Sequence, residues 1–139
     1  MYLLDTNVIS ELRRRTTADV NVQGWADRTP VAQCFLSVIT MHEIQLGALL
    51  KARKDGPQGA QLHAWIDDDI LPRFDGRILP IDTAIALRSA ALHVPDPRPQ
   101  VDAFIAATAL VHGMTLVTRN VVDFERTGIE VINPWEVQC

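Results

Sequence analysis

The sequence predicts an α/β protein in which a mainly parallel sheet is covered by helices on both faces. Two observations predict it: short apolar runs of strand type alternate with helical segments from Tyr2 to Asn133, and the opening strand-then-helix unit recurs along the chain. A third is the lack of any internal repeat, low-complexity tract or domain boundary, which predicts one domain over residues 1–139. At this length folding buries roughly two-thirds of the surface exposed by the unfolded chain, so no covalent staple is required.

The first strand, Tyr2 to Leu4, runs into Asp5-Thr6-Asn7, which opens an amphipathic helix ending at Arg13-Arg14-Arg15. A second helix covers about Val20 to Arg28. Thr29-Pro30 then leads to an apolar strand, Ala32 to Val38, and to a long helix from about Thr40 to Lys54. Gly56-Pro57 breaks that helix, and the next one carries Leu62, Trp65, Ile66 and Ile70 as far as Pro72. Ile78 to Asp82 reads as a strand and Thr83 to His93 as a helix. The proline-rich stretch Val94 to Pro99 is too short to link domains and shapes the start of helix Val101 to His112, which Gly113 terminates. The strand Thr115 to Thr118, a helical turn at Val121 to Glu125 and the strand Glu130 to Asn133 complete the chain. In a sheet of this kind, ligands bind beyond the carboxyl ends of the strands.

Composition narrows the class. With 47% hydrophobic and 22% charged residues the chain is globular in type. Cys34, inside an apolar run, and Cys139, the last residue, are too few for a disulfide framework, which points to a reducing, cytoplasmic compartment. The N-terminus lacks a basic leader segment, and no apolar run approaches the roughly 20 residues of a membrane span, so no membrane association is expected. The net charge of −4 opposes a nucleic-acid partner unless cations intervene. Two divalent ions would offset four carboxylates, and all basic residues except Lys51 and Lys54 are Arg, the type suited to bidentate phosphate contacts.

Four acids stand out, each with an ordinary explanation beside the functional one. Asp5 closes the first strand, where an N-cap also belongs, and Asn7 is placed to orient it. Glu43 shares a helical stripe with Ile39, Leu46, Gly47 and Leu50, an apolar face expected to point inward, and Gly47 suggests something packed very close; pairing with an arginine at the rim is the alternative. Asp102 lies on a stripe with Ile105, Ala106, Ala109 and Leu110, although an acid in a first helical turn is also favoured by the helix dipole. Asp123 follows Thr118-Arg119-Asn120, where Asn120 can cap a helical turn and Asp123 can answer it.

Convergence of the four explains all of them together. Carboxylates crowded within a few ångströms raise one another's pKa, and a divalent cation relieves that repulsion. Oxygen ligands without a His or Cys cluster select Mg2+ or Mn2+ over zinc. Such equipment suits phosphodiester hydrolysis, with one ion activating water and a second stabilising the leaving oxygen.

The residues also resemble a known family. Leu3-Leu4-Asp5-Thr6-Asn7-Val8, Met41-His42-Glu43-Ile44-Gln45-Leu46-Gly47, Asp102-Ala103-Phe104-Ile105-Ala106-Ala107-Thr108-Ala109 and Thr118-Arg119-Asn120-Val121-Val122-Asp123-Phe124 are similar to the motifs of PIN-domain nucleases, specifically VapC-type and FitB-like toxins. The resemblance covers essentially the whole chain. It implies a three-layer α/β/α sandwich and a metal-dependent endoribonuclease acting on RNA. It further implies a homodimer, neutralisation by a cognate antitoxin protein and a higher assembly with it. Asp5, Glu43, Asp102 and Asp123 match the family's acidic, metal-binding positions, and Thr6, Asn7, Thr118 and Asn120 its polar supporting positions.

Other residues carry less. Asp67-Asp68-Asp69 point about 100° apart on a helix and are expected on a solvated face. Asp82 caps the following helix or serves as a spare acid. His42, His63, His93 and His112 are dispersed, and Trp25, Trp65 and Trp135 are core or interface residues. Arg13, Arg14 and Arg119 are candidates for contact with RNA or an antitoxin. Position 7 holds Asn where an aspartyl phosphatase wants an acid, no lysine follows Lys54 as a receiver domain needs, and no glycine-rich turn follows the first strand. The remaining rival is a catalytically silent PIN-like module that binds a partner protein.

Overall fold

The computed structural model describes residues 1–14 and 16–137; Arg15 and Cys139, both singled out above, lie outside the described residues. Five parallel strands form the sheet in the order β3-β2-β1-β4-β5: β1 (Tyr2–Leu4), β2 (Cys34–Ser37), β3 (Ile78–Leu79), β4 (Thr115–Val117) and β5 (Val131–Ile132). The helices are α1 (Thr6–Leu12), α2 (Val20–Arg28), α3 (Val38–Lys54), α4 (Gly56–Trp65), α5 (Leu71–Arg73), α6 (Thr83–Ala91) and α7 (Gln100–His112).

Alternation along each strand sorts side chains into two cores and three layers. Leu4, Leu36 and Val117 point to one face, where they pack with Val8, Ile9, Trp25, Ile44, Ala48, Ile66 and Phe74 from α1, α2, α3 and the α4 to α5 region. Leu3 and Leu116 point to the other, against Ile105, Ala106 and Ala109 of α7. The expected α/β/α sandwich is therefore present. Helix α7 is the central element foreseen: six of its residues, from Ala103 to Ala109, are buried. Gly113 ends it in the left-handed region at φ 64°, which costs glycine no steric strain.

The edges of elements differ from expectation for local reasons. Residues Val31–Gln33 form a 3-10 turn, not strand, and β2 starts only at Cys34. Ser37 ends β2 by capping α3, its Oγ accepting from Ile39 N at 3.0 Å, so that helix begins two residues before the sequence suggests. The strand expected over Ile78 to Asp82 is two residues long, because Pro80 has no N–H to continue the ladder. Asp82 caps α6 by accepting from Ile85 N at 2.9 Å. Between α4 and α5 the helix widens into a π turn, Ile66–Ile70, whose Asp67 and Asp68 are exposed and whose Asp69 pairs with Arg73 at 2.7 Å.

Beyond β1 the chain crosses to β2 on one side, whereas β4 lies on the other. The strand order thus reverses between β1 and β4, and the crevice beyond the carboxyl ends of these two strands is where such sheets place ligands.

Candidate active site

Asp5 and Thr118 are the residues that follow β1 and β4, which brings them together at that crevice. Asp5 is buried and engaged on both oxygens: Oδ1 accepts from Thr6 N at 2.8 Å, as an N-cap of α1, and Oδ2 accepts from the Thr118 hydroxyl at 2.8 Å. The cap reading of Asp5 is thus borne out, and its second oxygen is held by Thr118 beyond β4. Thr118, fully buried, in turn accepts from Asn7 Nδ2 at 3.2 Å and from Asn120 N at 3.1 Å. Asn7 closes the circuit, its Oδ1 accepting from Arg119 N at 3.2 Å.

Glu43 reaches the same place from α3. The Thr6 hydroxyl donates to Glu43 Oε1 at 2.7 Å and lies 3.3 Å from the hydroxyl of Thr40, one turn before Glu43 and completely buried. Thr40 escaped sequence analysis because a threonine on a helix facing a core looks like packing.

The acids feel one another electrostatically: Asp5 feels Glu43 and Asp123, and Asp102 feels all three of the others. Burial pushes the Asp5 carboxyl above its usual range, the Thr118 and Thr6 hydrogen bonds pull it back, and Glu43 and Asp123 push it up further. Asp102, in the first turn of α7, is pushed up to about 6, first by burial and then by Asp123, Asp5 and Glu43; only the Arg98 guanidinium opposes this. The dipole of α7 alone would lower it, so neighbouring charge and burial outweigh the helix terminus. Arg98 sits in the proline-rich loop before α7, held by Leu92 O at 3.0 Å and Glu125 O at 3.4 Å. A cation inside a segment that reads as a helix approach gave no earlier sign of this role.

Several expectations are corrected. The Glu43 stripe does not point inward: Leu46, Gly47 and Leu50 are exposed, and the buried side of α3 is Thr40, Ile44 and Ala48, with Ile39 partly packed against the core. Nor is anything packed on Gly47, where an added Cβ meets nothing within 4 Å. The close helix contact is at Gly59, whose Cβ would lie 2.4 Å from Ala52 Cα. Asn120 makes no side-chain cap and contributes its backbone N–H, while Asp123 is exposed on the 3-10 turn Val121–Phe124. Arg13, Arg14 and Arg119 are exposed; the first lies over the Trp65 ring at 5.9 Å, the second is 3.9 Å from Glu11, and the third lies over the Trp135 ring at 5.1 Å. His93 is structural, its Nδ1 accepting from Arg98 N.

Among the described residues no three His, Cys, Asp or Glu side chains close on a single point as a ready-made ion cage. Mg2+ in general keeps several waters and takes only one or two carboxylates directly, so a ready-made cage is not a requirement for it.

The comparisons agree with this geometry. The family model for the PIN domain matches residues 2–130. The VapC ribonuclease Y4jK of Sinorhizobium fredii is 36% identical, over 98% of this chain and 99% of its own length. Toxin FitB of Neisseria gonorrhoeae is 39% identical, over 97% and 99%. The crystal structure of FitAcB from Neisseria gonorrhoeae superposes with a TM-score of 0.88 at 37% identity, covering 99% of this chain and all of that one. With the sheet order, the acids beyond β1 and β4 and a match spanning nearly every residue in agreement, the chain belongs to the PIN domain family.

Proposed function

We propose that this protein is an endoribonuclease, dependent on Mg2+ or Mn2+, that acts as the toxin of a toxin–antitoxin pair. The observation that carries the reading is the electrostatic coupling among Asp5, Glu43, Asp102 and Asp123, which belong to four separate segments of the chain. The similarity to a VapC ribonuclease and to toxin FitB supports the activity and the role.

The donor set fits a hard cation. It consists of carboxylate oxygens; burial is the main cause that raises Asp5 and Asp102, and the repulsion that adds to it is what a divalent ion would relieve. Asp5, Glu43, Asp102 and Asp123 would hold it, directly or through water. When bound, the ion supplies charge for the scissile phosphate and lowers the pKa of a water nucleophile. Thr118 and Thr6 N–H fix both oxygens of Asp5, so this carboxylate needs no reorganisation when charge develops nearby. The Thr6 hydroxyl does the same for Glu43. Asp102, with its value near 6, takes up a proton well above the usual carboxylate range, so ion binding there would be linked to proton release.

A cognate antitoxin protein is the expected partner, as the kinship with toxin FitB supports. A homodimer is supported by the exposed leucines Leu46, Leu49 and Leu50 on α3, an apolar surface that a second copy can cover. The whole chain of 139 residues is read as one nuclease domain.

Incubation of purified protein with RNA tests the reading. Cleavage that requires Mg2+ or Mn2+, stops with EDTA and is lost in Asp5→Ala is the expected result. Folded protein that binds an antitoxin yet cuts no RNA would instead establish a silent binding module.

A further inference from the structure

Gly47 lies in the middle of a 17-residue helix, where glycine costs about 1 kcal/mol relative to alanine. Two structural reasons normally justify that cost, and both are missing. Its φ is not in the positive region, and an added Cβ would meet nothing within 4 Å. What Gly47 provides is space. It lies on the wall of a groove of about 510 Å3 between α1, α3 and α4, within the ~300–1,000 Å3 of functional clefts.

The groove is continuous with the acid site. Thr6 and Glu43 line one end, and Glu43, Gly47 and Lys51 follow at intervals of four residues, one stripe of α3 about 12 Å long at 1.5 Å per residue. Away from the acids the lining turns basic: Arg13, Arg14 and Lys51 all border it. Among the described residues Lys51 has no ion-pair partner, and Arg14 has only a long, exposed contact with Glu11. A protein of net charge −4 thus gathers three cations along a groove that also reaches Thr6 and Glu43.

We propose that this groove is the track for single-stranded RNA flanking the cut, with Arg13, Arg14 and Lys51 taking its phosphates and Gly47 leaving room for the strand. The inference rests on the ribonuclease reading of the acid cluster and adds a direction to it. A strand whose scissile phosphate meets the acids must leave along some wall. The Glu43 wall offers an open floor and positive charge, the features that attract a phosphate backbone.

The test uses the full chain and a short fluorescein-labelled single-stranded RNA of mixed sequence, with Ca2+ in the buffer for anisotropy and Mn2+ for cleavage. Gly47→Gln fills the groove with a good helix former, and Lys51→Glu reverses a charge in it. Lys54→Glu on the same helix, outside the lining, is the control for net charge. The groove variants should bind RNA roughly tenfold more weakly and Lys54→Glu about as the parent does. Lys51→Ala should reduce the salt dependence of binding by about one phosphate contact. Melting temperatures should not fall below the parent's, that of Gly47→Gln rising slightly as a helix glycine is replaced, and Mn2+ affinity should stay at the parent's value, which separates an altered track from a damaged fold or metal site. Groove variants that bind and cut RNA as the parent does would overturn the track, as would variants that keep RNA binding but lose an antitoxin. A parent protein that neither binds nor cuts RNA would overturn the ribonuclease reading itself, and the track with it.

Discussion

The hydroxyl of Thr118 donates to Asp5 Oδ2 at 2.8 Å, joining residues 113 positions apart in the chain. Both are buried, so this bond ties the ends of β1 and β4 together at the crevice where their order reverses. It also holds down the pKa of a carboxyl that burial pushes up.

Replacing Thr118 by valine keeps shape and removes the donor. The buried carboxylate then keeps only the Thr6 N–H, at an expected cost of about 1–3 kcal/mol measurable by urea denaturation. Metal affinity or RNA cleavage should fall roughly 10–100-fold, as for other residues that orient ligands. Unchanged stability and activity would mean that Asp5 needs no such support.

Asp102 gives the protein a pH signature. Its folded-state value of about 6 lies above the ordinary 3.8, so in this interval the native protein binds the proton more tightly than the unfolded chain. The sign follows: without metal this group destabilises the fold above about pH 6, and stability is recovered as pH falls through 6 toward 4. Asp102→Asn removes the penalty. It should raise the metal-free Tm by a few degrees at neutral pH, about 1–2 kcal/mol after allowing for solvent screening of a half-buried group, with the advantage fading near pH 4. Melting curves of the two proteins across pH, in EDTA, measure it directly. An advantage independent of pH would point to a cause other than charge.

Divalent ions should act in the opposite sense on the parent. An ion that binds only the folded state stabilises it by ~2.7 kcal/mol at a hundred times its Kd. Mg2+ or Mn2+ should therefore raise the parent's Tm, and raise that of Asp102→Asn much less. Equal shifts in both proteins would place ion binding elsewhere.

Much of the candidate site was legible because its residues sit where the sequence announces the ends of elements. Asp5 and Thr118 follow short apolar strands, and Asp102 interrupts a helix that is apolar on nearly every side. The sheet order was not legible, since the chain does not state which strands become neighbours. Glu43 was found through a wrong geometry: its leucine neighbours looked like an inward face, yet they are exposed, and the inward face is carried by the small residues Thr40 and Ala48 with Ile44. Helical periodicity marks an apolar stripe without saying whether the chain or a partner covers it. Arg98 was missed because its effect on Asp102 depends on how a proline-rich loop folds back.

The two glycines make that lesson testable. Gly59→Ala would drive a Cβ to within 2.4 Å of the Ala52 backbone, where neither helix can yield locally, and should cost about 1–3 kcal/mol. Gly47→Ala meets nothing within 4 Å and should stabilise the protein by about 0.5–1 kcal/mol. Urea denaturation of both variants decides it, and a reversed order would contradict the helix packing described for α3 and α4.

The most direct measurement is a Mn2+ titration, followed by electron paramagnetic resonance of the free ion, on the parent and on Asp5→Asn, Glu43→Gln, Asp102→Asn and Asp123→Asn. If these acids hold the ion jointly, each carboxamide should weaken binding, by roughly tenfold or more for Asp5 and Asp102 and least for the exposed Asp123. RNA cleavage should decline in the same order. Folded Asp5→Asn and Asp102→Asn proteins that bind Mn2+ as tightly as the parent would contradict a shared metal site.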